Sequence, residues 1–191
     1  MWHAQRIGYV LSLGLLFGGA SGCLFAGSDH TPGQMEASFL VNLFKFVDWP
    51  HLTNTATICF LPPTSQVQTR LEWGLSNHQK WATLKDRTVV VKTLKDPTVL
   101  GASSADTGCQ ILYLDAHTAD RFWPFRVPDA LLTASNAKDF AYHGGMIQFL
   151  WDASDTYQIA INTDSITRSG LIVSGALGTL ADRVDDARYA P

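Results

Sequence analysis

Residues 57–94 read TICFLPPTSQVQTRLEWGLSNHQKWATLKDRTVVVKTL, and the order of patterns in this stretch decides the architecture. Thr57 to Leu61 belongs to a short apolar, β-branched run of the kind that forms a core strand. Ser65 to Leu75 reads as a helix, and Thr88 to Leu94 as a second strand. Two strands separated by a helix are joined by a crossover, which places them parallel in one sheet.

On the N-terminal side, Thr31 suits a helix cap, Pro32 the first helical position, and Gln34 the third position of a capping box. Met35, Phe39, Leu43, Phe46 and Val47 recur at helical spacing, which predicts an amphipathic helix ended by Pro50. On the C-terminal side, Cys109 to Leu114 predicts a strand, His117 to Phe122 a short helix and Ala130 to Ser135 another strand. Met146 to Trp151 and Thr156 to Ile161 flank the turn-rich Asp152 to Asp155, as in a hairpin. A last helix is expected from Thr163 or Asp164, with Ile166, Val173, Leu177, Leu180 and Val184 on one stripe. Gly170, Gly175 and Gly178 cost such a helix about 1 kcal/mol each relative to alanine, offset by close packing or by a seam between two copies of the chain. The expected fold class is α/β: a single-domain, three-layer α/β/α sandwich with a mixed, mainly parallel sheet and a C-terminal hairpin.

Arg6 followed by the apolar Ile7 to Phe17 and the small residues before Cys23 reads as an export leader over residues 1–26. Ala20 to Gly22 fits ordinary signal cleavage, and the same residues directly before Cys23 fit a lipoprotein site with Cys23 lipidated; both stay open. Residues 31–185 hold the expected domain, and the mature length of about 165 residues suits one core. Setting Cys23 aside, Cys59 and Cys109 lie in two apolar runs. In an oxidising compartment they are expected to pair, closing a loop of about fifty residues worth roughly 4 kcal/mol. The alternative is two buried free thiols.

The chain carries 14 basic and 17 acidic residues, a net charge of −3, with no basic stripe, so nucleic acid is not an expected partner. Glycine-rich nucleotide loops, His-Glu-x-x-His and Gly-x-Ser-x-Gly are absent from the sequence, and its six histidines form no metal-ligand pattern. Neither enzyme activity nor a metal nor a cofactor is expected. Two segments remain as candidate binding sites. Arg121, Phe122, Trp123, Phe125 and Arg126 gather the residue types that dominate protein-binding hot spots. His143, Gly144 and Gly145 set a base beside backbone amides that could hold a ligand, although paired glycines before a strand commonly serve the chain path instead. Phe140 and Trp49 read as structural anchors.

Two longer blocks carry a resemblance. Glu36 to Pro50, with its Phe46-Val47-Asp48-Trp49-Pro50 ending, and Leu132 to Phe149, together with Cys109 to Leu114 and the closing stretch Ile161 to Ala181, resemble the YfiR-like family of small periplasmic proteins. The resemblance implies a periplasmic regulator that binds the periplasmic part of a membrane diguanylate cyclase and holds it inactive, lowering cyclic di-GMP. Anchoring as a lipoprotein and pairing into a homodimer are compatible with it. The other functional class is a small-ligand-binding module of a receptor or uptake system, with the Gly-Gly loop and helix N-termini forming its pocket.

Overall fold

The computed structural model describes residues 31–50, 52–61, 65–84, 87–97, 102–121, 128–151 and 157–184. In chain order its elements are α1 (Pro32–Phe46), β1 (Val47–Asp48), β2 (Thr55–Leu61), α2 (Gln66–Asn77), α3 (Gln79–Ala82), β3 (Thr83–Leu84), β4 (Arg87–Thr93), α4 (Ser104–Thr107), β5 (Ile111–Leu114), α5 (Ala116–Ala119), β6 (Leu132–Ser135), β7 (Ile147–Trp151), β8 (Tyr157–Asn162), α6 (Thr163–Arg168), β9 (Ile172–Val173), α7 (Gly175–Leu180) and β10 (Asp182–Val184). The export leader and Cys23 lie outside the described residues.

The main sheet runs β10-β8-β7-β6-β5-β2-β4-β3. Strand β2 pairs parallel with both β4 and β5, as the strand–helix–strand order requires, and β5, β6 and β7 continue the parallel run. The expected hairpin is present: β7 and β8 pair antiparallel, with Trp151 opposite Tyr157, while the turn between them lies outside the described residues.

Register sorts the side chains into two faces, because successive residues of a strand point to opposite sides. Ile58, Phe60, Ile111, Tyr113, Ile147 and Phe149 fall on one face, where they meet Leu40, Leu43, Val67 and Leu71 of α1 and α2. Cys59, Leu61, Leu112 and Leu114 fall on the other, beneath Ala119 of α5 and Phe140. The result is the three-layer α/β/α sandwich with a mixed sheet.

Helix α1 differs from its expected stripe. Thr31 adopts the cap backbone and Pro32 opens the helix, but the Thr31 side chain makes no capping bond. The buried positions include Glu36, Ala37, Leu40, Val41 and Phe44, while Met35, Phe39 and Phe46 are half-buried. The cause is packing on two sides: α1 touches α2 through Gly33 as well as the sheet, so burial wraps round the helix.

The single long C-terminal helix does not form. Gly170 adopts φ +75°, a left-handed conformation open to glycine, and stops the helical path just after α6. Val173 then pairs with Val47 in the two-stranded β1–β9 sheet, and Val184 extends the main sheet beside β8. Apolar residues at helical spacing were thus shared among a short helix, a strand, a second short helix and an edge strand. Gly170 therefore carries no helix-interior penalty, and Gly175, at the start of α7, faces open space rather than a close neighbour.

Candidate functional site

Glu36 is the least expected residue of the core. It stands on an inward position of α1, is 1% exposed, and lies over the sheet beside Tyr113 of β5. The Tyr113 hydroxyl donates to Glu36 Oε2 at 2.6 Å, and Asn136 Nδ2, just past β6, donates to Oε1 at 3.5 Å. Burial pushes the Glu36 carboxyl up to about 6, and the two hydrogen bonds only partly oppose that rise. Burial and then the Glu36 charge also hold the Tyr113 and Tyr157 hydroxyls well above the usual tyrosine range.

Around this carboxylate the aromatic rings form a continuous stack. Phe149 lies between Tyr113 and Tyr157, and Phe39 of α1 meets Phe149 edge-on at 5.7 Å. The Tyr157 hydroxyl and the Trp151 indole N–H are buried without a hydrogen-bond partner, on opposed residues of the hairpin. With so little exposure Glu36 cannot meet a substrate. Its chemistry is that of a proton-binding group locked between a helix and two strands. The run Glu36 to Phe44 holds the clue, a lone carboxylate among apolar positions, but only the second packing side of α1 turns that position inward.

The cysteine pairing is present. Cys59 in β2 and Cys109 just before β5 form a disulfide with Cα atoms 5.8 Å apart, closing a sequence separation of 50. Both are fully buried on the loop-covered face. The adjacent strands β2 and β5 supply the proximity that sequence alone left undecided.

The Gly-Gly loop has a specific construction. A 3₁₀ turn over Ala141–His143 ends at Gly144, which takes φ +93°. A Cβ on Gly145 would fall 2.2 Å from the Phe140 ring, so the ring and the glycine are mutually fitted, and Phe140 is fully buried. His143 itself is exposed. Thr133, Ser135, Gln148 and Asn162 hold this loop on the sheet. Met146 N–H donates to Thr133 Oγ1, Ala137 N–H to Ser135 Oγ, and Ala141 N–H to Gln148 Oε1. Asn162 Nδ2 donates back to the Ala141 carbonyl at 2.7 Å, while its Oδ1 accepts from Ser165 N–H and caps α6.

Of the aromatic–arginine segment, Arg121 is described and exposed, paired with His117 one helical turn back, at the end of α5. Phe122, Trp123, Phe125 and Arg126 lie outside the described residues. Among the described residues no cluster of three or more His, Cys, Asp or Glu is placed to hold a metal ion. No helix among them is long and apolar enough to cross a membrane. A separate cleft opens at the N-terminal ends of β2 and β5, lined in part by Trp49, Thr57, Gln110 and Arg168.

Comparison with known proteins gives three results. No curated protein matches the sequence. A crystal structure of a conserved domain protein from Vibrio cholerae is similar with a TM-score of 0.47 and 11% identity, over 82% of this chain and 61% of that one, so the chain spans less than two thirds of that protein's length. A family model described as YfiR/HmsC-like matches residues 33–182, which takes in α1, the disulfide, the glycine loop and the hairpin together. The chain belongs to the YfiR/HmsC-like family.

Proposed function

We propose that this protein is an exported regulator that binds the periplasmic region of a membrane diguanylate cyclase, holds the enzyme inactive and so lowers cyclic di-GMP. The observation that carries the reading is the family match across residues 33–182, in a family associated with periplasmic regulation of such cyclases. The buried disulfide fits an oxidising compartment. Inhibition of this kind is a binding equilibrium: the regulator must bind the inactive conformation of its partner more tightly than the active one, and the difference in affinity sets the degree of repression. No catalytic step by this chain is needed.

Within this reading, the segment from Arg121 to Arg126 supplies the contact surface. It follows α5 in the sequence and combines two arginines with three aromatic rings, the residues that contribute most when buried at an interface. The deciding experiment measures cellular cyclic di-GMP after deletion and restoration of the gene, in cells with and without the candidate cyclase. A rise on deletion that disappears when the cyclase is also absent is the expected result. An unchanged level with both proteins present overturns the proposal.

A further inference from the structure

At the end of the sheet where β2 and β5 begin, a cleft of about 870 Å³ opens, within the range of about 300–1,000 Å³ usual for small-molecule sites. Its lining comes from four separate segments: the chain after β1, the region from α4 to the start of β5, the turn before β6, and the end of α6. Three of these are tied together by backbone. Ser104 N–H donates to the Asp129 carbonyl at 2.9 Å, and Ala130 N–H to the Ser169 carbonyl at 2.8 Å. Ala130 holds φ +50°, a conformation costly for a residue with a Cβ, and these bonds keep it there. The cleft is therefore shaped before any ligand arrives.

Part of its polar lining is already engaged within the protein: Ser103 Oγ donates to Asp106, Gln110 Oε1 accepts from Thr57 N–H, and Arg168 donates to Ser165 Oγ. Thr57 is only 9% exposed and lines the cleft, and among the described residues its hydroxyl has no hydrogen-bond partner; nor have the half-buried Ser104 hydroxyl and the exposed Asp129 carboxylate. The charged side chains of the lining are Arg168 and Asp129, one of each sign. A site so balanced has no net field with which to select an ion. Its selectivity rests on hydroxyl and amide groups that can donate or accept and a carboxylate that accepts, beside apolar surface from Pro50 and Leu52.

We propose that this cleft binds a neutral polyhydroxylated ligand, a saccharide of one or two rings. Sugar hydroxyls both donate and accept, so they can bond the Thr57 and Ser104 hydroxyls in either sense and donate to the Asp129 carboxylate, and the C–H face of a sugar ring matches the apolar edge at Pro50 and Leu52. Glu36 does not line the site, and the proposal does not depend on the cyclase reading.

The test uses the exported protein with its disulfide intact. Saturation-transfer NMR is recorded with maltose, cellobiose and N,N′-diacetylchitobiose, and with an amino-acid mixture as the zwitterionic comparison. The expected result is transfer to at least one disaccharide, weakened about tenfold by Thr57→Val, which removes a hydroxyl, and again by Asp129→Asn, which turns one charged acceptor into an amide donor. Asp129 is exposed, so its variant keeps the test available if Thr57→Val does not fold. Absence of transfer to all three sugars, transfer unchanged in both variants, or transfer confined to the amino acids overturns the proposal. Cyclic di-GMP in cells carrying Asp129→Asn is read separately, so failure of sugar binding and failure of cyclase control remain distinguishable.

Discussion

The two faces of the sheet are covered by different physical means. On one, α1 and α2 press Leu40, Leu43, Val67 and Leu71 onto Ile58, Phe60 and Ile111, and cohesion there follows the apolar area removed from water, about 25 cal/mol per Å². On the other, beside the short helix α5, the chain between β6 and β7 has only a 3₁₀ turn, so its backbone groups would be stranded against the sheet without partners. Thr133, Ser135, Gln148 and Asn162, all buried on that face, supply those partners, and the Cys59–Cys109 disulfide fastens the neighbouring strands. The lesson is that buried polar residues in a strand can replace a covering helix when each one bonds a loop backbone group. The helix-covered face makes the opposite choice once, at Glu36, where a carboxylate is buried at a cost.

The contrast is most exposed to failure at the covalent tie. Replacing both cysteines, Cys59→Ala with Cys109→Ala, is expected to lower stability by about 4 kcal/mol, measured by urea unfolding with a steeper slope because the unfolded chain loses its cross-link and exposes more surface. A loss under about 1 kcal/mol would mean that the loop-covered face does not rely on it. Next in size is Asn162→Ala, which strands the Ala141 carbonyl and the Ser165 N–H together. It should cost about 2–3 kcal/mol, with hydrogen exchange accelerated first in the loop around Ala141 rather than in α1.

Glu36→Gln probes the helix-covered face and carries the opposite sign. The folded protein holds the Glu36 proton more tightly than the unfolded chain, since burial raises the carboxyl from 4.5 to about 6. Wild-type stability from this group is therefore fully present below pH 4.5 and falls by about 2 kcal/mol as pH rises to about 6. The Gln variant keeps an acceptor for Tyr113 and lacks the titration. It should be about 2 kcal/mol more stable than wild type at pH 7 and equal to it at pH 4, by thermal denaturation at both pH values. A variant less stable at pH 7 would show that the ionised carboxylate is favourable where it sits. Smallest of all, Val90→Thr lies on the uncovered part of the loop-side face and should change stability by less than about 0.5 kcal/mol, by the same urea measurement.

Legibility differed with the range of the interaction. The crossover β2–α2–β4, the hairpin β7–β8, Pro32 at the start of α1 and the strand character of the cysteine runs were readable, because each depends on residues a few positions apart. The C-terminal region was not, since Ile166, Val173 and Leu177 have helical spacing and only the pairing of Val173 with Val47, more than a hundred residues away, makes that segment a strand. For the candidate sites, the cysteines were visible as a pair and the glycine loop as a motif. The fit of Gly145 against Phe140 and the cleft before β2 were not, as both arise between segments.

What the amino-acid order determined by itself was therefore the alternation of strands and helices, the family and the absence of a familiar catalytic motif, all of them properties of local pattern. Tertiary structure alone decided that Glu36 is buried against Tyr113, that Cys59 meets Cys109, and that Thr57, Ser104 and Asp129 stand around one cleft. Burial and convergence depend on which distant segments pack together, and desolvation, disulfide geometry and ligand shape are set only once that packing exists.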